Sequence, residues 1–584
     1  MTRTPEPASL PPVWKLWANP IFRRYCRSRL RLRGLGVALL VTLMVAGFFF
    51  FMTRSVGIYR ANLAAADAER GPLIPLLVIQ SLILFVLGTA QVAGGMVAER
   101  DEGVIDYQRL VPMPPLAKVL GYLFGLPVRE YAMFLATLPF TIWALWRGHV
   151  EARIWVPLYA VFFSSALLYH LTGLVTGTVV HNRRWAFLVS IGSVFALYTV
   201  VPQMARFGLV FFKYLTITPV FEECLPGLVP KTTGAVVATA QRLMPNVKFF
   251  DLDFNESVFT IFSQSGLILT FLVMLRRRWR RAESLLLGKL WAAGFFLWIQ
   301  ILLLGNALPL IDSGLLFPSR GVRRWLRDPT DFQPTSFEAV AMPGLYGLVT
   351  LGLLFILANL ITPPPDMQTR GWRRARKQGK SSLAFLSDPA TSFWFVAVMA
   401  AGGAGGWFLF TRALIESRWF PGHAVPLPVL GVFGCVMLSA GLGFHALLEA
   451  RGGRVVGLAA ILVGALPLMV AAVIGAISDR FLPFAAWLGG ISPLSAPAYA
   501  SATMLSVTEL PATIARAVPR AFFFWQVVTV LAALWLVGRL RVARHRMARE
   551  LLAAPTPSTP KDGLSSPPPA PGSARSAISG SAGP

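Results

Sequence analysis

The sequence predicts an all-α polytopic membrane protein, a bundle of about twelve transmembrane helices. Hydrophobic residues make up 55% of the chain and charged residues 14%, whereas an ordinary soluble domain carries about 25% charged residues. Mean hydropathy is +0.60. Apolar runs of roughly 20 residues, enough to cross the hydrocarbon core of a bilayer as a helix, recur along the chain. Because a soluble chain this apolar would aggregate, lipid is its expected solvent.

Twelve apolar runs are long enough to span. Those in the first half are 34–52, 72–98, 119–146, 154–180, 185–212 and 258–275. Those in the second half are 290–310, 339–361, 393–410, 427–448, 455–477 and 521–538. Segment 481–500 is also apolar, but prolines and glycines interrupt it. We predict an interfacial or re-entrant piece there, because irregular backbone at membrane depth must be shielded by protein.

The basic residues give the orientation. With the N-terminus inside, 34 Lys and Arg fall on the cytosolic side and 19 on the other, and Arg129 lies within a span. This bias predicts an N-in, C-in topology. The basic residues stand in short clusters between apolar runs and not on one soluble face, so we do not expect nucleic acid as a partner. We expect the inner or plasma membrane of a bacterial cell.

The chain divides into segments of different character. Residues 1–33 form a basic cytosolic or interfacial segment. Residues 34–281 and 282–550 each hold six spans and end with a long outward loop, a last span and a basic cluster. They are either two copies of a six-helix unit or one such unit with an added six-helix membrane domain. Residues 551–584 are rich in Pro, Ser and Ala, and we expect them to be disordered.

The loop after the second span carries the most informative motif. Glu99, Glu102 and Asp106 stand at i, i+3 and i+7, so on one helix the three acids share a face. Gly103 interrupts that helix, and the proline-rich run 112–115 ends it. The pattern predicts a short amphipathic element at the cytosolic surface. The alternative is a solvated connector whose charges keep it out of lipid.

This motif resembles the membrane subunits of ATP-binding-cassette (ABC) exporters of the type-2 permease family. The N-terminal Asn19-Pro20-Ile21 and the basic run after it resemble the interfacial helix that precedes their first span. The resemblance covers residues 15–285 and implies a coupling helix that docks on a separate ATPase subunit. The residues to which it assigns coupling are Glu99, Arg100, Glu102, Gly103, Asp106, Pro112, Pro114 and Lys118.

Two features depart from the family pattern. The usual Gly-Lys before the third span is Ala117-Lys118. The chain also has twelve predicted spans, whereas one subunit of the simplest members has six. The second half lacks the acidic motif, and after its second span it offers a proline run and then a basic loop.

The chain has no nucleotide-binding motif of its own. A phosphate-binding loop requires G-x-x-x-x-G-K-[ST]. Gly379-Lys380-Ser381 has the ending, but Arg374 stands where the first glycine is needed. We therefore expect no enzymatic activity and no cofactor in this chain, with ATP hydrolysis in a partner.

Three ionisable residues within predicted spans are candidates for a substrate path: Arg129, Glu130 and His170. An ionisable group inside a membrane is by default a functional hypothesis. The alternatives are a helix break near the surface for Arg129 and Glu130, and a neutral cross-helix hydrogen bond for His170. The six histidines are scattered, so we predict no metal site. Gly402 to Gly406 reads G-x-x-x-G, a spacing that lets helices pack closely.

The first functional hypothesis is therefore the permease of an ABC exporter, with an ATPase subunit, membrane lipids and an unidentified exported substrate as partners. A homo-oligomer stays open. The second is a membrane enzyme acting on a lipid-linked substrate, with Asp251, Asp253 and Glu256 as candidate ligands of a divalent metal. The third is a secondary transporter, which ordinarily shows interrupted helices with charges near the midplane.

Overall fold

The computed structural model describes residues 14–180, 182–230, 246–312, 316–317, 335–419, 428–505 and 512–553. Within these ranges the chain is a bundle of α-helices with one small β-hairpin. Eleven helices are long and apolar enough to cross a membrane, and the number is twelve if one bent pair of helices is counted as a single span. The predicted all-α polytopic bundle is confirmed. The tail predicted to be disordered was 551–584. Its first three residues are helical, as the end of the helix Ala512–Ala553, and the rest lies outside the described residues.

The six spans of the first half coincide with the predicted runs. They are span 1 (Leu32–Arg60), span 2 (Ala65–Asp101), span 3 (Pro115–Gly125 with Val128–Arg147), span 4 (Ala152–Val179), span 5 (Phe187–Phe207) and span 6 (Glu256–Arg280). Span 3 is bent by 51° at its break. Wide π-helical turns lie at the end of span 1 and inside spans 2 and 5, at Val56–Arg60, Leu82–Gly88 and Ala196–Val200.

The six spans of the second half coincide with the predicted runs as well. They are span 7 (Lys289–Ile311), span 8 (Phe337–Ile361), span 9 (Phe393–Ile415), span 10 (Leu430–Arg451), span 11 (Val455–Ile477) and span 12 (Thr513–Leu551). Span 11 contains a π-helical turn at Ala460–Ala465. The helix of span 12 runs for 42 residues, Ala512–Ala553. At 1.5 Å per residue that is about 60 Å, about twice the hydrocarbon thickness.

Shorter elements connect the spans. On the predicted cytosolic side these are the turn Leu16–Ala18, the N-terminal helix Pro20–Arg29, the loop helix Val104–Leu110 and the basic helix Pro365–Lys377. On the opposite side they are Val210–Leu215, Thr218–Leu228, Asp479–Phe481, Leu482–Gly489, Ala496–Leu505 and the antiparallel hairpin of β1 (Val247–Phe249) and β2 (Leu252–Phe254). The predicted interruption of 481–500 is confirmed, because two short helices replace a span there.

The N-terminal helix packs on the start of span 3. Asn19 caps the helix, because its Oδ1 accepts the N–H of Ile21 at 3.0 Å, and its Nδ2 donates to the carbonyl of Ala117 at 2.7 Å. Gly125 allows the close approach. A Cβ added there would lie 2.8 Å from Cδ2 of Tyr25, which is less than a van der Waals contact.

The second half is packed around large aromatic side chains. Trp407 and Tyr346 are fully buried, and the Tyr346 ring stacks on Phe410 at 5.0 Å between centroids. Gly402 and Gly406 let span 9 approach span 7 closely, because a Cβ at Gly402 would lie 2.5 Å from Cδ2 of Leu297 and one at Gly406 would lie 2.7 Å from Oε1 of Gln300. The G-x-x-x-G prediction of close packing is confirmed.

Candidate functional site

The loop after span 2 is divided at Gly103. This glycine has φ of 71°, in the left-handed region that glycine adopts at low cost. The helix of span 2 ends at Asp101, and the loop helix begins afresh at Val104. The Glu99 side chain therefore points into the protein, while Glu102 and Asp106 are exposed. The predicted single acidic face is wrong, because the glycine breaks the helix on which it depended.

Glu99 joins three elements of the structure. Its carboxylate accepts a hydrogen bond from the Tyr25 hydroxyl at 2.7 Å and one from the Tyr122 hydroxyl at 3.3 Å, and it pairs with Arg24. Burial raises the pKa of Tyr25, and the hydrogen bond to Glu99 raises it further. The phenol thus stays a donor, and Glu99 holds the N-terminal helix against spans 2 and 3.

Lys118 closes the far end of the loop helix. Its side chain is buried, and Nζ donates to the carbonyls of Gln108 at 2.6 Å and of Val111 at 2.9 Å. The last carbonyls of a helix lack partners within the helix, and a cation satisfies them well. Lys118 therefore positions the loop helix and is not part of its exposed surface.

The remaining residues of the predicted motif point in different directions. Arg100 reaches the end of span 4, where its guanidinium donates to the carbonyl of Val180 at 2.8 Å. Pro112 is exposed. Pro114 immediately precedes the first helix of span 3, in whose first turn Pro115 stands. Proline suits that position, because an N–H there would have no helical partner.

The exposed surface of the loop helix combines charge with large apolar groups. Glu102 and Asp106 are exposed, and Asp106 pairs with Arg109 on the same helix. Tyr107 is 68% exposed and Leu110 is 83% exposed. Sequence reasoning did not single out Tyr107 and Leu110 as the exposed apolar side chains of this loop, although two large apolar side chains in a short charged loop are a usable signal. Tyrosine in particular is enriched at protein interfaces.

The opposite surface of the loop helix is anchored in the bundle. Ile105 is 5% exposed and belongs to a buried cluster with Ile21 of the N-terminal helix, Tyr122 of span 3 and Trp279 of span 6. The rings of Tyr122 and Trp279 stack at 5.2 Å. The loop helix thus has one face in the core and one face open.

Arg129 and Glu130 lie at the break of span 3. The second helix of this span starts at Val128, directly after the bend. Glu130 is 1% exposed and pairs with Arg129 at 3.0 Å, and its other oxygen has no hydrogen-bond partner among the described residues. Arg129 is partly exposed. The break accounts for a charged pair at this place, and a role in a substrate path stays a prediction.

His170 is held by two neighbouring spans. Its Nε2 lies 2.9 Å from the carbonyl of Leu84 in the π-helical turn of span 2. Its Nδ1 lies 3.0 Å from the hydroxyl of Tyr131 on span 3. Both ring nitrogens are thus engaged, which matches the cross-helix alternative given for this residue. Its partner Tyr131 directly follows Glu130 in the chain.

A second cluster on the predicted cytosolic side, in the other half, was not predicted. Glu449 at the end of span 10 is 3% exposed. It accepts a hydrogen bond from Gln368 of the basic helix at 2.9 Å and pairs with Arg544 of span 12. The exposed side chains of the basic helix include Arg370 and Arg373. The signal available in the sequence was an acid at the very end of an apolar run.

The three outward acids do not gather. Asp251 and Asp253 are exposed on the hairpin, and Glu256 starts span 6 with Lys213 at 3.9 Å. Among the described residues, no group of three or more His, Cys, Asp or Glu side chains could hold a metal ion. The metal-dependent alternative therefore receives no geometric support from these residues.

Fold and site together define a multi-pass helical membrane protein with an exposed, anchored helix on its predicted cytosolic side. No protein-family model matches the chain, and neither a curated protein nor a solved structure matches it.

Proposed function

We propose that the chain is the membrane-spanning permease subunit of an ABC exporter. It forms the path for an unidentified substrate and couples to a separate subunit that hydrolyses ATP. The observation that carries the proposal is the two-sided loop helix. Glu102, Tyr107 and Leu110 are open for docking, whereas Ile105 lies in the core of the bundle.

The attachments of the loop helix support a mechanical role. A helix that transmits motion must be fixed to what it moves. Lys118 ties the loop helix to span 3, and the cluster around Ile105 ties it to the N-terminal helix and span 6. A displacement of the loop helix by a partner would therefore act on several spans at once, as a rigid-body movement.

The proposal extends to the organisation of the chain. We propose two six-helix units, 34–281 and 282–550, in the inner or plasma membrane of a bacterial cell. Two parallels support the units. Spans 5 and 11 both contain a π-helical turn, at Ala196–Val200 and Ala460–Ala465. In both units, helices too short to span precede the last span, as at Thr218–Leu228 and Leu482–Gly489.

The test is retention of an ATPase subunit by the purified chain. We expect the wild-type protein, extracted in mild detergent, to carry an ATP-binding protein. Glu102→Lys should reduce the amount retained about tenfold or more, because a like-charge contact at an interface costs well over 1.4 kcal/mol. Membrane insertion should be unchanged, since Glu102 is exposed.

Glu550→Lys is the matched control, because Glu550 is also an exposed acid on the predicted cytosolic side and lies on the extension of span 12. It should retain the partner as the wild type does. Absence of any ATP-binding subunit from the wild-type preparation, or equal retention by Glu102→Lys, would contradict the proposal.

A further inference from the structure

A groove lined by arginines lies where the N-terminal helix meets span 1. It is open on one side and has a volume of about 490 Å³. Its lining residues are Ser28, Arg29, Arg31, Leu32, Arg33, Gly34 and Arg129. A second, adjoining groove shares Ser28 and Arg31 with it and adds Arg23, Arg24 and Arg27. We call the first of these the N-terminal basic groove.

The positive charge of this groove is poorly compensated. Arg129 pairs with Glu130. Arg29 donates to the neutral amide of Gln91 at 2.8 Å. Among the described residues, no carboxylate forms an ion pair with Arg29, Arg31 or Arg33. Four arginines thus line a concave space with one carboxylate beside them, which is an arrangement that attracts an anion.

The backbone adds to the attraction of these side chains. The helix of span 1 begins at Leu32 in the wall of the groove, and it has no acidic residue in its first turn and no side-chain cap. Its positive dipole end is therefore left to the solvent or to a ligand. A Cβ added to Gly34 would meet no atom within 4 Å, so this wall stands open.

Apolar surface continues from the groove along span 1. Leu32 is 90% exposed at its edge, and further along the same helix Val37 and Met44 are each 65% exposed. Trp17 is 68% exposed just before the N-terminal helix, and tryptophan favours the membrane–water interface. A phosphate that carries acyl chains can use both the arginines and this apolar surface, whereas a free phosphate can use only the arginines.

We propose that the N-terminal basic groove binds the phosphate headgroup of an anionic phospholipid from the cytosolic leaflet. Arg31 and Arg33 are its principal contacts, and the acyl chains lie along the exposed side of span 1. Juxtamembrane basic clusters attract anionic lipids in this way. The site does not depend on the proposed ATPase, because no residue of the loop helix lines the groove.

The test measures binding of phosphatidylglycerol to the full-length chain, purified in neutral detergent with phosphatidylcholine, by native mass spectrometry. The double variant Arg31→Gln with Arg33→Gln should bind phosphatidylglycerol about 30-fold more weakly, because each basic residue near an anionic lipid contributes about a fivefold factor. Phosphatidylcholine binding should not change.

The control variant is Arg546→Gln with Arg549→Gln, which removes two exposed charges from the extension of span 12. It should bind phosphatidylglycerol within about threefold of the wild type, since neither residue lines the groove. Arg31→Lys with Arg33→Lys should retain most of the binding, because lysine also binds phosphate as a point charge. If the double glutamine variant does not fold, Arg33→Gln alone should weaken binding about fivefold.

Three outcomes would overturn the proposal. The first is wild-type affinity for phosphatidylglycerol in the glutamine variants. The second is an equal loss in the control variant, which would reduce the effect to overall charge. The third is displacement of phosphatidylglycerol by inorganic phosphate at equal concentration, which would assign the groove to a soluble phosphate and not to a lipid.

Discussion

The hydrogen bond between Tyr25 and Glu99 should contribute measurably to stability. Tyr25→Phe removes the donor at 2.7 Å with almost no change in volume. Glu99→Gln keeps an acceptor oxygen but removes the charge. A hydrogen bond to a charged group contributes about 1.5–3 kcal/mol to stability, and a hydrogen bond between neutral groups contributes about 1 kcal/mol. The ion pair between Arg24 and Glu99 adds less than about 1 kcal/mol, because the Arg24 side chain is 40% exposed. We expect each single variant to lose about 2 kcal/mol.

A double-mutant cycle isolates the pair. The free energy of unfolding is measured for the full chain, the two single variants and the double variant, in mixed micelles titrated with dodecyl sulfate. The coupling energy should be about 1 kcal/mol or more, because the two residues share one short contact. Neutral side-chain hydrogen bonds in membrane proteins average about 0.6 kcal/mol, so a value above this indicates a charged acceptor.

Tyr107→Phe is the control for the loss of a hydroxyl. Tyr107 is 68% exposed, so removal of its hydroxyl should change the free energy of unfolding by less than about 0.5 kcal/mol. A coupling energy near zero between Tyr25 and Glu99, or a loss in Tyr107→Phe as large as that in Tyr25→Phe, would refute the reasoning.

Two further substitutions test the anchoring of the loop helix and the packing of span 9. Lys118→Met leaves the carbonyls of Gln108 and Val111 without their cation, which should cost about 1–3 kcal/mol of stability. The backbone amides of the loop helix should then exchange with deuterium faster than in the wild type. Unchanged exchange in the loop helix would show that Lys118 does not anchor it. Gly403→Leu should lower stability by about 1–3 kcal/mol, because a Cβ there would lie 2.7 Å from a Thr350 methyl. Gly405→Leu, whose Cβ would meet nothing within 4 Å, should unfold like the wild type, and equal losses at both glycines would count against specific packing.

The spans were predictable because hydropathy and length are local properties. The run predicted at 154–180 corresponds to Ala152–Val179, and the run predicted at 290–310 to Lys289–Ile311. Span 3 was predicted as the single apolar run 119–146, with a helix break near Arg129 and Glu130 as one alternative, and it is bent by 51°. Hydropathy does not report such a bend, although Gly125 and Pro127 at the break are residues that disfavour a continuous helix.

The direction in which each side chain of the candidate site points was harder to predict from the sequence. Whether Glu99 faces solvent or the core depends on the break at Gly103 and on Tyr25, which is 74 residues away in the chain. No local pattern specifies such a contact. The sequence therefore identified the acidic element, but it could not separate the residues that anchor the element from those that are exposed on it.

Lys118 and Lys289 show that the sequence also does not reveal whether a given charged side chain is exposed or buried. Both count as cytosolic basic residues in the orientation argument, and both are buried. Lys118 donates to carbonyls at the end of the loop helix, and Lys289 donates to the carbonyls of Ser387 and Ala390 at 2.7 and 2.6 Å. A sum over 34 and 19 residues tolerates two members with other roles, so the predicted topology does not depend on them. The role of any single lysine does depend on its contacts, because an ammonium group is buried only where carbonyls or carboxylates replace its water.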